Sequence, residues 1–201
     1  MALLFANNNS LSEITALPSS ISGGAMTLLA TQTASGSANL SFTSGIDSTY
    51  DSYVFKFINI HPATDSVNFY VNFSVDGGSN YNVTKTTTWF YAYHNESGST
   101  SSLEYNAGLD LAQSTANQPL MENIGNDNDQ SGSGFMTLYN PSSTTFVKHF
   151  IATTQDVIHI NYTENAFISG YANTTSAINA VQFVMESGNI DSGVIKLYGV
   201  S

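Results

Sequence analysis

Val67-Asn68-Phe69-Tyr70-Val71-Asn72-Phe73-Ser74-Val75 places Val67, Phe69, Val71, Phe73 and Val75 at every second position. Side chains of an extended chain point to opposite faces in turn, so these five share one face, as a half-buried strand requires. Asp76-Gly77-Gly78-Ser79 follows and predicts a hairpin turn, because glycine accepts positive φ. Upstream, Tyr53–Ile60 has the same character and stops at His61-Pro62. Further strands are expected at 27–33, 38–42, 87–93, 135–139, 145–153, 157–162, 166–171, 178–185 and 194–200. Each is short, rich in β-branched or aromatic residues, and bounded by Gly, Ser, Asn, Asp or Pro. No helical period lasts beyond two turns after residue 20. The expected fold is all-β: an antiparallel β-sandwich, most readily a jelly roll, with its strand order left open.

The remainder of the chain divides around that body. Ser10-Leu11-Ser12-Glu13 has capping-box spacing, and Leu11, Ile14 and Leu17 could share one face of a short helix over 11–16 that ends before Pro18. Residues 1–24 are therefore expected to form an N-terminal arm, and 25–201 the sandwich. The apolar anchors Leu3, Leu4, Phe5, Leu11, Ile14 and Leu17 are candidates for docking on a partner. Met1–Ala6 lacks a basic residue, and its apolar run stops at Asn7, too soon for a secretory signal. The stretch 96–134 carries five glycines among Ser, Asn and Asp and is expected to form long loops, with one weak strand near 109–111.

Composition excludes several functions. The 201 residues carry four lysines, no arginine and fifteen acids, a net charge of −11. Four scattered lysines cannot neutralise a row of phosphates, and an anionic membrane repels such a chain. No nucleic-acid or membrane partner is expected. Cysteine is absent, which removes disulfides, thiolate metal sites and a thiol nucleophile. Only 9% of residues are charged, and Ser, Thr and Asn make up about a third of the chain. A neutral sandwich with so few lysines and prolines needs its strand edges covered, which predicts self-association.

Motifs for chemistry are sparse. Ser74-Val75-Asp76-Gly77-Gly78-Ser79-Asn80-Tyr81 resembles the Asp-box of sialidase-type propellers, where the motif is a structural turn; here it occurs once. Asp127-Asn128-Asp129-Gln130-Ser131-Gly132 copies the first half of a calcium loop, but position twelve is Leu138 instead of Glu. A solvated acidic turn is the simpler reading, with a loose calcium site at Asp127 and Asp129 as the alternative. His61, His94, His149 and His159 fit no metal or nucleophile pattern. Fifteen carboxylates could hide a glycosidase pair, yet no two stand out. Neither an enzyme activity nor a cofactor is expected. Trp89, Tyr91 and Tyr93 share one strand face and could stack on a glycan or pack in an interface.

Four phrases together resemble a family of virion-associated proteins of marine tailed bacteriophages. They are Phe42-Thr43-Ser44-Gly45-Ile46-Asp47-Ser48-Thr49-Tyr50, Ile60-His61-Pro62-Ala63-Thr64-Asp65, Asp76-Gly77-Gly78-Ser79-Asn80-Tyr81-Asn82 and Ser192-Gly193-Val194-Ile195-Lys196-Leu197-Tyr198-Gly199-Val200. The resemblance implies a β-sandwich on the virion exterior. It would be a capsid decoration protein or part of a tail fibre, with the major capsid protein or other virion proteins as partners. It carries no functional residues over. The leading expectation is a decoration protein that forms a homo-oligomer, expected as a trimer, and docks on the capsid lattice. The alternative is a tail-fibre or receptor-binding protein that recognises carbohydrate.

Overall fold

The computed structural model describes residues 26–201, and the arm with its anchors Leu3, Leu4, Phe5, Leu11, Ile14 and Leu17 lies outside them. Twelve strands follow in order: β1 (Thr27–Ser37), β2 (Leu40–Phe42), β3 (Ser52–Pro62), β4 (Val67–Ser74), β5 (Lys85–Asn95) and β6 (Ser101–Tyr105). Next come β7 (Gln118–Ile124), β8 (Gly132–Tyr139), β9 (Lys148–Ile158), β10 (Tyr162–Ala172), β11 (Ala180–Met185) and β12 (Ile190–Val200). No helix occurs among the described residues.

Every pairing is antiparallel, and the pairs nest. β4 pairs with β7, β3 with β8, β2 with β11 and β1 with β12, as if one long hairpin had been rolled up. Rolling brings β12 beside β3 and β11 beside β4. The result is two four-stranded sheets, β1-β12-β3-β8 and β2-β11-β4-β7, the strand order of a jelly roll. The hairpin β9–β10 and the strands β5–β6 extend the first sheet to eight strands, in the order β8-β9-β10-β5-β6. A single residue pair, Ile124 with Ile158, joins β7 to β9 and nearly closes the two sheets into a barrel.

The core lies between the sheets. Phe183 on β11 is its centre, with Phe42, Phe55, Phe57 and Phe69 packed around it at ring-centroid distances of 5.2–6.2 Å. Trp89, Leu120, Met136 and Phe150 continue the core toward the added strands. Five aromatic rings at such distances add edge-to-face and stacking contacts to the area this core buries.

Several local expectations are revised. Asp76 does hold a turn: its Oδ1 accepts from Ser74 Oγ at 2.7 Å and from the Asn80 amide at 2.9 Å. The Asn80 side-chain amide, donating to Oδ2 at 2.7 Å, and after it these two bonds hold the Asp76 carboxyl down at about 2. The turn is no hairpin, however, because β4 pairs with β7 and β11 and the chain crosses to the other sheet. The segment 157–162 is not a separate strand. It is the end of β9, a tight turn with Asn161 at φ 60°, and the first residue of β10. Within 96–134 run β6 and β7, whereas 109–111 is not a strand.

Candidate functional site

The four-stranded sheet is too narrow to cover the eight-stranded one. The inner faces of β5, β6 and β10 therefore extend beyond β7 and leave a cleft of about 240 Å³ between them. Tyr91 and Tyr93 line it from β5, Glu122 and Asn123 from β7, Ile158 from β9 and Tyr162 and Glu164 from β10. Thr100 and Ile160 lie at its rim.

Register explains the arrangement. On β10, Glu164 has the same parity as the core residues Ala166, Ile168 and Ala172, so it must point inward. Its direct neighbours across the sheet are Tyr93 on β5 and Asp156 on β9. Asp156 in turn shares parity with Phe150, Ala152 and Thr154. Two carboxylates are thus forced side by side on an apolar face. Asp156 is 0% exposed, and among the described residues neither carboxylate oxygen has a hydrogen-bond partner. Glu164 is 3% exposed and its Oε1 has none.

The electrostatics follow from burial. Loss of water, and then the charge of Glu122, pushes the Glu164 carboxyl up to about 8. Burial, with Glu164 and Glu122 adding, raises Asp156 well above the usual carboxylate range. Burial also raises Glu122, against hydrogen bonds from Asn106 and Asn123. The Tyr91 hydroxyl is pushed up to about 12, first by burial and then by Glu104, Glu122 and Glu164. Glu104, opposite Tyr91 on β6, accepts from the Tyr91 hydroxyl at 3.4 Å and the Tyr93 hydroxyl at 3.1 Å.

An aromatic column forms one wall. Trp89, Tyr91, Tyr93 and Tyr162 follow one another with centroid separations of 4.9, 5.6 and 5.9 Å. The expected face of Trp89, Tyr91 and Tyr93 therefore exists but is split. Trp89 is fully buried in the core row opposite Ile168 and cannot meet a ligand, while Tyr91 and Tyr93 reach the cleft. Tyr162, Glu122 and Glu164 join them from other strands. Their signal in the sequence was the inward parity of a charged residue, visible for Glu164 only once the β10 register is known. Chemically, the site offers tyrosine rings, a carboxyl able to hold a proton near neutral pH, and unmet hydrogen-bonding capacity.

The other candidates do not converge. Asp127 takes part in a turn through its backbone, with Gln130 N donating to its carbonyl at 2.9 Å. Among the described residues no three acids or histidines gather as a metal ion requires, at Asp127 and Asp129 or elsewhere. His61 lies against Asp191 at 3.4 Å and the Asp127 carbonyl at 3.3 Å, on a different part of the surface from the cleft.

A second surface lies on the outer face of the large sheet. Tyr105, Phe90, Phe167, Thr153 and Phe135 stand directly opposite one another across β6, β5, β10, β9 and β8. The four aromatics are 36–55% exposed, and Phe90 stacks on Phe167 at 5.1 Å. Ile151, two residues from Thr153 on the same face, is 47% exposed. No protein-family model matches this chain, and no curated protein or solved structure is similar to it at a significant level.

Proposed function

We propose that the chain is a non-enzymatic structural protein of a bacteriophage particle's exterior, a capsid decoration protein that self-associates and docks on the capsid lattice. The observation that carries this reading is the outer aromatic row. Isolated apolar residues are normal on a surface, but an aligned band across five strands marks a contact face. The outer edge of β1 supports the same reading: eleven residues, Thr27–Ser37, without a lysine or proline to discourage pairing. The phrases that resemble virion-associated proteins and the acidic charge agree with an exterior position. The mechanism is burial of apolar surface between copies, multiplied by the repeat of the lattice.

The test is a cryo-EM reconstruction of the particle, together with the mass of the full chain in solution. Density at regular lattice positions and a trimer mass are expected. A Phe90→Ser/Phe135→Ser double variant should remain folded and become monomeric. Deleting residues 1–24 should leave the sandwich folded and abolish attachment. A monomeric wild-type chain with no lattice density would overturn the reading. The tyrosine-lined cleft favours a second reading, a tail-fibre or receptor-binding module whose density would lie at the tail.

A further inference from the structure

We propose that the cleft between β7 and the β5–β6–β10 overhang binds a small organic cation, a primary ammonium group on a short aliphatic stem. The inference shares with the second reading only the idea that the cleft holds a ligand.

The starting point is what the cleft lacks. Glu164 is almost wholly buried at the inner wall of the cleft, and among the described residues its Oε1 has no donor. A buried carboxylate oxygen without a partner is costly, so the native fold retains it only where something else can supply the hydrogen bond. Among the described residues no cationic donor is at hand. None of the lining residues is basic. All four lysines lie elsewhere: Lys85 and Lys148 are at the opposite end of the large sheet, and Lys56 and Lys196 face each other on β3 and β12.

A hydroxyl could donate as well as an ammonium group. Charge decides between them. Glu104, Glu122, Asp156 and Glu164 all act on this one region from four strands, as the upward shifts of Tyr91 and Asp156 reflect. Burial by itself favours the protonated forms of Glu164 and Asp156; a cation lets Glu164 ionise beside Glu104 and Glu122, which a neutral ligand cannot do. Tyrosine rings add attraction for a cation, and Ile158 and Ile160 offer an apolar side for its stem. A divalent metal fits less well, since no three acids converge on one point among the described residues.

The experiment is isothermal titration of the full chain at pH 8.5, where Glu164 is largely ionised. The probes are 1,4-diaminobutane, its neutral isostere 1,4-butanediol, methyl glucoside and calcium chloride. Binding of the diamine but not the diol is expected, weakened at least tenfold in Glu164→Gln. Should that variant fail to melt cooperatively, Glu122→Gln serves in its place, with a smaller loss of at least threefold. Binding of methyl glucoside without the diamine overturns the cation and leaves the glycan reading standing. Calcium binding that excludes the diamine overturns it in favour of a metal. Binding of none of the four overturns it, as does diamine affinity unchanged in both variants.

Discussion

Lys85 and Lys148 flank Ala172 at one end of the large sheet, and Tyr93 and Asp156 flank Glu164 at the other. Eight residues of β9 separate the two rows, roughly 27 Å at strand rise. Both ends bury ionisable side chains on an inward face. At the first end each charge is met. Lys85 Nζ donates to Asn72 Oδ1 and the Val83 carbonyl, both at 2.7 Å, and Lys148 Nζ to the Phe146 and Thr174 carbonyls, both at 3.1 Å. At the second end Asp156 and Glu164 keep three unpartnered oxygens between them. The contrast separates two uses of a buried charge. A satisfied one ties loops to the sheet, and an unsatisfied one beside a cleft is poised for something to arrive.

The largest expected effect of this contrast is on stability as a function of pH. Glu164 prefers its neutral form in the fold, so between about 4.5 and about 8 the native state holds more protons than the unfolded chain. Stability therefore falls as pH rises through that window, by roughly 3 kcal/mol once solvent at the open cleft is allowed for. Burial lowers Lys85 from 10.5 to about 8, which has the opposite sense. Above about 8 the lysine, taken alone, adds stability toward pH 10, and buried Asp156, which also prefers its neutral form, opposes it. Urea unfolding should show stability falling between about pH 5 and 8, with Asp156 and Glu122 adding to the fall, and Glu164→Gln should reduce it. A profile that rises steadily from pH 5 to 8 would erase the contrast between the ends.

A smaller effect is expected from removing a partner at the lysine end. Asn72→Ala leaves the Lys85 ammonium short of its side-chain acceptor and should cost about 2 kcal/mol in urea unfolding. Smallest of all is Lys85→Met, which removes the charge together with its need. It should change stability by less than about 1 kcal/mol at pH 7. A larger loss there than in Asn72→Ala would mean that the ammonium group is a net source of stability.

How much of this could be read from the sequence depended on whether the signal was local. The alternation names β4 and one buried face from Val67 to Phe73 because both are set within a few residues. Val75 falls beyond the strand and is exposed, and Asn68, Asn72 and Ser74 make the other face buried too. The turn between β9 and β10 is hidden inside the apolar run Val157-Ile158-His159-Ile160-Asn161-Tyr162; only Asn161, a residue tolerant of positive φ, hints at it. β7 was masked by Pro119 and by its short span among glycines. The jelly-roll class was expected, but its nested order is set by contacts between strands far apart in the chain. The site divides in the same way. Tyr91 and Tyr93 follow from alternation within β5, whereas Glu122 and Glu164 reach them from strands about 30 and 70 positions away. Their meeting is a property of the fold.

The nested pairing also sets an order of events in time. β12 is the last of the described strands to be made, and it supplies the partner for β1 and for one side of β3. Until residues 190–200 leave the ribosome, the first described strand has no neighbour and the core around Phe55 and Phe57 has an open flank. Folding is therefore expected to wait for residues 190–200 and to be slow, in the millisecond-to-second range typical of sandwiches with distant pairings. During that interval unpaired strands rich in aromatic residues stand exposed. The yield of soluble protein should be governed by how quickly the C-terminal strand arrives.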